Sequence, residues 1–421
     1  MNLQIIITGC RFILSVLGFL YAYYGIYVVV GLLFTRKFPK AKRLHKYGIV
    51  IAARNEENVI GQLLDSIKQQ DYEGEVTVFV VADNCTDSTA ITAREHGAIC
   101  YERFDGLHRT KGYAMEFLFD NIKKDYGDVF EAFIMLDADN LLKSDYISRM
   151  NDAYDAGEKI VTSYRNTKNL GNSFIAASYA FHWMRTCRCE NRAKSLIHTS
   201  CRIQGTGFLF DKALVENGWV HTTLTEDRSF CVDAVARGYR ISYQDAAEFY
   251  DEQPESLSVA FRQRTRWAKG HLQAFTQLGP KLLRSFFAAF KESPTRVFAC
   301  FDMLTICFPR SLASVILKAV EVAACTGLVV IFGGAPSLLS SLVIGIGIAF
   351  IKSCLLKIVT AAYLLVTEKR RLPQLSLWRN LLYCITFPIF DIIGKITYCM
   401  AAITHVEWTP IPHNAVSAAI K

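Results

Sequence analysis

Three kinds of hydrophobic pattern follow one another along the 421-residue chain. The first is an uncharged run at residues 12–35, which is bracketed by Arg11 and Arg36. As a helix, this run would reach about 36 Å, which is enough to cross a bilayer with some tilt. A secretory signal has a shorter apolar core and a small-residue cleavage site, and neither is clear here. We therefore predict a retained N-terminal transmembrane anchor over residues 1–38.

The second pattern covers residues 39–280, where short apolar, β-branched runs alternate with segments of helical spacing. This alternation predicts an α/β domain with a mostly parallel sheet, in which ligands bind at the carboxyl ends of the strands. The predicted strands are residues 47–53, 76–82, 98–101 and 132–136, and the predicted helices are residues 58–70, 88–96 and 111–124.

The third pattern begins at residue 281, where the chain becomes apolar again and predicts interfacial and transmembrane helices to residue 421. Residues 281–291 alternate basic and aromatic side chains, which is typical of a helix on a membrane surface. Segments 311–332 and 338–366 are long enough to span a bilayer, and helix-breaking residues at 333–336 separate them. Segment 377–403 is interrupted by Pro388, Asp391 and Lys395, and both a spanning and an interfacial interpretation remain open.

Composition and charge narrow the class of protein. With 51% hydrophobic and 20% charged residues, the chain is not intrinsically disordered. The net charge is +8, and six Lys and Arg residues lie at positions 36–46, directly after the first apolar run. The positive-inside bias places the following domain in the cytoplasm of a multi-pass cell-membrane protein. Anionic lipid, rather than nucleic acid, is the expected partner of this charge.

Charges within the apolar segments have two interpretations. A charge at membrane depth costs about 2.5–3.5 kcal/mol even on the lenient insertion scale, so these groups should face protein, water or each other. They could form ion pairs with each other or extend to the membrane surface. Alternatively, they could line a polar lane along which a hydroxyl-rich polymer leaves the site near Trp267. The residues concerned are Lys318, Glu321, Lys352, Lys357, Asp391 and Lys395.

Polar residues follow three predicted strands where the strands end. Asp137 and Asp139 follow one strand, and two carboxylates at i and i+2 can converge on a cation such as Mg²⁺ or Mn²⁺. Asp83 follows a second strand, where it could accept from a nucleobase or ribose, or cap a turn. A third strand ends in residues 54–57, Arg-Asn-Glu-Glu. Three polar ends on one sheet edge favour a nucleotide site, although the glycine-rich dinucleotide and P-loop motifs are absent from the sequence.

Two later motifs add candidate chemistry. Thr225-Glu226-Asp227 precedes a helical pattern and could be a simple helix cap, or Asp227 could be a general base. Gln263, Arg266 and Trp267 fall on one helical face. An Arg beside an indole can bind a phosphate and stack on a sugar, or form a cation–π pair at a membrane surface.

The chain contains five motifs, flanked by predicted membrane segments, in the order AARNEE, VVADNCTD, LDADN, TED and QRTRW. Together they resemble the motifs of the processive family-2 inverting glycosyltransferases, such as cellulose, hyaluronan and poly-N-acetylglucosamine synthases. The resemblance covers residues 40–280 in motif detail and implies a GT-A-type nucleotide-sugar-binding domain. The implied enzyme transfers a sugar from a UDP-sugar to the end of a growing polysaccharide, coupled to export. A non-processive enzyme that adds one sugar to a lipid is the nearer alternative. A transporter or channel with a nucleotide-binding regulatory domain is the more distant one.

The resemblance also implies a role for each motif. Asp227 matches the base that deprotonates the acceptor hydroxyl, and Asp137 and Asp139 match the motif that meets Mg²⁺ or Mn²⁺ and the diphosphate. The implied partners are a UDP-sugar donor, a polysaccharide or glycolipid acceptor, membrane lipid and accessory export proteins. The implied donor contacts are Ala53, Glu56, Asp83, Lys111, Asp137, Gln263 and Arg266, and the implied acceptor contacts are Trp267, Gly205, Thr206 and Gly207.

Overall fold

The structure is a computed structural model that describes residues 2–333 and 336–408. It begins with two helices, α1 (Asn2–Leu20) and α2 (Tyr24–Leu33), joined by a turn at residues 21–23. Together they form an apolar stretch, Leu3–Leu33, that is long enough to cross a membrane. The structure differs from the predicted run at residues 12–35, because Arg11 lies within the first helix rather than before it.

The first half of the sheet contains four parallel strands with helices between them. These elements are β1 (Tyr47–Ala53), α3 (Ile60–Lys68), β2 (Val76–Asp83), α4 (Thr89–Glu95), β3 (Ile99–Arg103), α5 (Lys111–Tyr126) and β4 (Ala132–Asp137). Strand β1 lies between β2 and β4 and is parallel to both. All four predicted strands and all three predicted helices are confirmed to within two residues at most ends, because strands buried on both faces read as continuous apolar runs.

Alternate residues of β1 pack on opposite faces of the sheet, as the pleat requires. Val50 joins the apolar layer that contains Leu118 of α5, whereas Ile51 joins the layer that contains Leu63 of α3. All four side chains are fully buried. Because both faces are covered, only the strand ends are open to a ligand.

The second half of the sheet mixes parallel and antiparallel strands. Its elements are β5 (Leu141–Leu142), α6 (Tyr146–Asp155), β6 (Ile160–Thr167), α7 (Phe174–Thr186), a π-helical turn (Cys187–Asn191), α8 (Arg192–Leu196), β7 (Phe208–Asp211), a 3₁₀ turn (Lys212–Leu214), α9 (Glu226–Ala236) and β8 (Ile241–Asp251). The strand order is β3-β2-β1-β4-β7-β6-β8-β5, with β7 antiparallel to both β4 and β6. The sheet is therefore mostly parallel, as predicted, with an antiparallel strand at its centre.

The chain ends in five long helices. They are α10 (Leu257–Ala289), α11 (Pro294–Cys307), α12 (Arg310–Phe332), α13 (Pro336–Thr367) and α14 (Leu377–Ile403). A 3₁₀ turn (Lys369–Arg371) lies between α13 and α14. Helices α12, α13 and α14 are each long and apolar enough to cross a membrane, which makes four candidate spans with Leu3–Leu33 in the described part of the chain. Residues 281–289 continue α10 instead of forming a separate helix. Residues 334–335 of the predicted helix break, and residues 409–421, lie outside the described part.

The membrane charges at Lys318 and Glu321 pair privately. Lys318 Nζ lies 2.7 Å from Glu321 Oε2, and Arg11 Nε donates to Glu321 Oε1 at 2.7 Å. Glu321 is buried where α12 packs against α1. The structure therefore favours the interpretation in which these two residues pair, and the polar lane stays a prediction.

The other charges of the apolar helices are either paired or exposed. Lys357 of α13 forms an ion pair with Asp391 of α14. Lys352 and Lys395 are exposed on the outer surfaces of the same two helices. These charges therefore join neighbouring helices or face outward.

Candidate active site

Asparagines turn the chain sharply where β1 and β2 end. Asn55 and Asn84 adopt the left-handed backbone conformation, with φ of 57° and 53°, which few residues other than glycine and asparagine adopt readily. The Oδ1 atom of Asn55 accepts from the backbone N–H of Thr86 at 2.8 Å, and that of Asn84 accepts from the N–H of Asp105 at 2.9 Å. These bonds join the strand-end loops into one rigid edge.

Asp83, at the end of β2, is buried between two guanidiniums. Its carboxylate pairs with Arg54 and accepts from Arg103 Nη1 at 2.7 Å. The guanidinium carbon of Arg54 lies 4.2 Å from the ring centre of Trp408, which follows the last helix. This end of the site thus has a flat aromatic and guanidinium surface beside a carboxylate, which suits a nucleobase.

The Asp137–Asp139 turn is held by a small hydrogen-bond network. The backbone N–H of Asp137 donates to Thr206 Oγ1 at 2.8 Å and to Asn140 Oδ1 at 3.1 Å. Thr206 in turn donates to Asn140 Oδ1 at 2.6 Å, and Asp139 Oδ2 accepts from the backbone N–H of Glu252 at 2.9 Å. Thr206 therefore supports the turn, and its predicted contact with an acceptor stays a prediction.

The carboxylates of this turn fit a divalent cation whose other ligands come from a substrate. Oxygen donors are what Mg²⁺ and Mn²⁺ prefer, and such ions commonly share a site with phosphate oxygens. Across residues 2–333 and 336–408, no group of three or more His, Cys, Asp and Glu side chains forms an all-protein metal site. Asp137 and Asp139 would thus need the diphosphate to complete the coordination.

Lys111, the first residue of α5, links two of the predicted motifs. Its ammonium pairs with Asp137, lies 3.4 Å from Glu226 Oε1, and donates to the carbonyl of Gly205 at 3.3 Å. Burial opposes its charge, but Asp137 and Glu226 raise its pKa above the ordinary lysine value. The ammonium therefore stays charged where a diphosphate would lie.

Glu226 and Asp227 begin α9 in different environments. Burial raises the pKa of Glu226 to about 7, although Lys111 opposes this shift. Asp227 is only half-buried, and within the described residues no hydrogen bond reaches its carboxylate. Thr225 occupies the cap position without a side-chain cap bond, and its hydroxyl has no partner in the described part of the chain. The Thr225 side chain therefore does not cap the helix, and Thr225, Glu226 and Asp227 all line the cavity described below.

Helix α10 brings Gln263, Arg266 and Trp267 to the same place. A close approach at Gly270 makes this possible, since a Cβ atom there would lie 2.8 Å from the backbone nitrogen of Thr225. Trp267 packs edge-on against Tyr179 and Trp183 of α7, with ring centres 5.8 and 5.6 Å apart. This packing holds the indole in position to form one wall of a sugar site.

A single cavity of about 460 Å³ connects these groups. Thr206 and Gly207 do not line it, and no residue of α13 contributes to its wall. The sequence did not indicate Trp408, Arg228 or Asp251 as lining residues, because none belongs to a spaced motif. The predicted residues that line the cavity are Ala53, Glu56, Asp83, Lys111, Asp137, Asp139, Gly205, Asp227, Gln263, Arg266 and Trp267.

Comparison with known protein families agrees with this geometry. The model of a family described as "Glycosyltransferase like family 2" matches residues 45–270. The chain is 25% identical over 265 residues to the probable glycosyltransferase YdaM of Bacillus subtilis, covering 56% of this chain and 59% of the relative. It is 27% identical over 249 residues to the poly-beta-1,6-N-acetyl-D-glucosamine synthase of Staphylococcus aureus, covering 58% and 57%. The chain thus spans under three-fifths of each of these relatives.

A solved structure shares the fold over nearly the whole chain. This is the mannosyltransferase PcManGT from Pyrobaculum calidifontis, in complex with GDP-Man and Mn²⁺. The TM-score is 0.56 at 16% identity, and the match covers 94% of this chain and 99% of the other. At this identity the similarity describes the fold, including the helices that surround the sheet domain.

Proposed function

The chain belongs to the glycosyltransferase-like family 2, and on that premise we propose that it transfers a sugar from a UDP-sugar with inversion, at the surface of a membrane. One observation carries this proposal. Strand-end carboxylates, the Asp227 carboxylate and the Arg266–Trp267 pair all line one cavity, whose wall also includes residues of the apolar helices α12 and α14. This is the set of groups that displacement at an anomeric carbon needs.

The chain's own residues divide the reaction between them. The acceptor oxygen bonds to the anomeric carbon, the bond to the diphosphate breaks, and Asp227 takes the hydroxyl proton. Asp227 suits this role better than Glu226, because Glu226 is buried against Lys111. One base with no second nucleophile implies inversion, so an α-linked donor gives a β-linkage.

The leaving diphosphate needs positive charge. Lys111 is already charged beside it, and burial of Arg266 lowers the pKa of that guanidinium without neutralising it. A divalent cation on Asp137 and Asp139 would supply the rest of the charge neutralisation.

Two acceptors remain candidates. Extension of a polysaccharide is supported by the similarity to the poly-beta-1,6-N-acetyl-D-glucosamine synthase of Staphylococcus aureus. Addition of one sugar to a lipid is supported by the geometry, because the wall of the cavity includes Phe390, Gly394, Thr397 and Tyr398 of the apolar helix α14.

The reaction is tested on the purified full-length protein with Mg²⁺ or Mn²⁺. A panel of UDP-sugars is offered, together with GDP-mannose because the similar fold binds that donor, and nucleotide release is measured. We expect release from one UDP-sugar, and a gel of the product then separates a polymer from a single addition. Release from GDP-mannose alone would contradict the UDP assignment, and no release from any donor would contradict the transferase.

Replacing Asp139 by Ala is expected to weaken metal-dependent UDP binding by about tenfold or more, because half of the carboxylate pair is lost. Calorimetry with UDP, with and without Mn²⁺, measures the effect. Asp120→Ala is the matched control, since Asp120 is exposed on α5 outside the cavity. Equal binding by both variants, or full transfer activity in excess chelator, would exclude a metal at this turn.

Replacing Trp408 by Ala is expected to weaken UDP binding about three- to thirtyfold, because the indole that covers Arg54 is removed. Transfer at saturating donor should change much less than binding does. Trp378→Ala is the control, because Trp378 is exposed on α14 away from the cavity. Unchanged UDP affinity in Trp408→Ala would place the indole outside the donor site.

A further inference from the structure

The cavity continues beyond Trp267 into a region that is rich in positive charge. Its wall there contains Arg264 and His271 of α10 and Arg228 of α9, and it reaches Thr397 and Tyr398 of α14. Arg264 lies within the QRTRW motif and Arg228 directly follows Asp227, but the sequence assigned neither residue to the donor or to the base. The region lies between the catalytic groups and the apolar helices, where an acceptor must enter.

Arg228 is a buried cation that forms no direct ion pair in the described part of the chain. Arg228 is only 7% exposed, and its Nη1 atom has no hydrogen-bond partner in the described part of the chain. Its Nη2 atom lies 2.9 Å from Nε2 of His271, a neutral partner. Leaving a buried guanidinium unpaired is costly, so a ligand that carries negative charge would be bound strongly here.

His271 and Tyr398 extend this contact. Because Arg228 donates to Nε2 of His271, that nitrogen is the acceptor, and Nδ1 carries the proton that it donates to the Tyr398 hydroxyl. Burial, aided by Arg228 and Arg202, lowers the pKa of His271 well below its ordinary value and keeps the ring neutral. The proton of the Tyr398 hydroxyl is then free to point at an anionic oxygen.

Arg264 adds a second guanidinium on the same wall. It packs over the Phe390 ring at 3.6 Å and donates from Nη1 to the Phe390 carbonyl at 2.7 Å. Its guanidinium fills the space beside Gly394, where a Cβ atom would collide with it. Within residues 2–333 and 336–408, neither Arg228 nor Arg264 forms an ion pair with a carboxylate.

We propose that the acceptor is a membrane lipid that carries a phosphate, and that Arg228 and Arg264 bind this phosphate beside Asp227. The proposal rests on the proposed transferase function. Guanidinium groups bind phosphate through paired, charge-assisted hydrogen bonds. Arg228 directly follows Asp227 in the chain, so a hydroxyl near the bound phosphate lies close to the base. That hydroxyl attacks the anomeric carbon and gives its proton to Asp227, the nucleoside diphosphate leaves with the bonding electrons, and the lipid phosphate is unchanged.

The two faces of α14 favour a lipid over an anionic polysaccharide. The inner face contributes Phe390, Gly394, Thr397 and Tyr398 to the cavity. The outer face is a stripe of exposed isoleucines at helical spacing, which suits contact with acyl chains. A headgroup can therefore reach the arginines beside α14 while its chains stay outside. The stripe consists of Ile385, Ile389, Ile392 and Ile396.

Calorimetry on the full-length protein in neutral maltoside micelles tests this, with decyl phosphate as the probe and saturating UDP and Mn²⁺ filling the donor site. We expect wild type to bind decyl phosphate, and Arg228→Gln and Arg264→Gln each to bind it about tenfold or more weakly. Arg149→Gln, an exposed arginine of α6, is the matched control and should bind like wild type. UDP binding within twofold of wild type shows that each variant is folded. If Arg228→Gln does not meet this criterion, Arg264→Gln alone tests the phosphate site.

Further probes distinguish a lipid phosphate from other anions. Inorganic phosphate should bind much more weakly than decyl phosphate, and equal binding would contradict a lipid source. Oligogalacturonate binding that depends on Arg228, without decyl phosphate binding, would show an anionic polysaccharide site instead. Equal decyl phosphate binding by wild type and both variants would overturn the proposal. Because nucleotide release is measured separately, failure of the transferase function and failure of the phosphate site can be told apart.

Discussion

Replacing Asp227 by Asn is expected to reduce sugar transfer about 10²-fold or more while UDP binding stays close to wild type. The amide keeps the shape of the side chain but cannot accept the hydroxyl proton. In the proposed reaction Asp227 acts on the acceptor, whereas Lys111 and the Asp137–Asp139 turn, which contact each other, would hold the donor without it. Transfer is measured by nucleotide release with acceptor present, and UDP affinity by calorimetry.

Asp233→Asn is the matched control for this experiment. Asp233 lies on the same helix, α9, but pairs with Lys281 outside the cavity, so transfer per folded molecule should stay near wild type. Activity of Asp227→Asn within a few-fold of wild type would leave Thr225-Glu226-Asp227 with only a structural role. The missing cap bond of Thr225 argues against that outcome.

Replacing Lys194 by Met is expected to destabilise the protein by about 3–5 kcal/mol, because Asp302 is left as an unpaired buried charge. The two residues, on α8 and α11, are both 0% exposed, and Lys194 Nζ lies 2.9 Å from Asp302 Oδ2. The rings of Tyr24 and Tyr27 of α2 lie 5.3 and 5.1 Å from the same ammonium. Lys194 therefore joins α8 both to α11 and to the N-terminal helix α2, and thermal unfolding in detergent measures the contribution of the pair.

Two variants separate this effect from the loss of any lysine. Lys159→Met breaks a pair with Asp211 in which the lysine is exposed, and it should cost about 1 kcal/mol or less. The double variant Lys194→Met with Asp302→Leu removes both buried charges and should recover most of the stability. If Lys194→Met unfolds at the same temperature as Lys159→Met, the buried pair does not hold the helices together.

The elements that the sequence predicted well are those whose partners lie nearby in the chain. Strands β1 to β4 read as apolar runs because helices cover both faces of the sheet. The motif residues at their ends meet at one edge because neighbouring parallel strands point the same way. The strand pattern alone was therefore enough to place Asp83, Asp137 and Asp139 together.

Prediction was poorer where distant segments meet. Strand β7, at residues Phe208–Asp211, is too short to show a pattern, and it lies antiparallel between β4 and β6. Arg11 looked like a membrane boundary until Glu321, far along the chain, proved to be its partner. In the sequence, a charged residue beside an apolar run looks the same whether it marks the end of a membrane segment or lies within a helix and forms an ion pair.

The sequence by itself determined the fold class, the sheet edge that carries the site and the residues of its spaced motifs, because each depends on local periodicity or on fixed spacing within one element. Only the tertiary structure decided which face of α10 meets α9 at Gly270, that Trp408 covers Arg54, and that Arg228 is buried without a direct ion pair among the described residues. These depend on contacts between segments far apart in the chain. Burial and unmet hydrogen bonds exist only after packing has removed water, and so they leave no pattern in the order of residues.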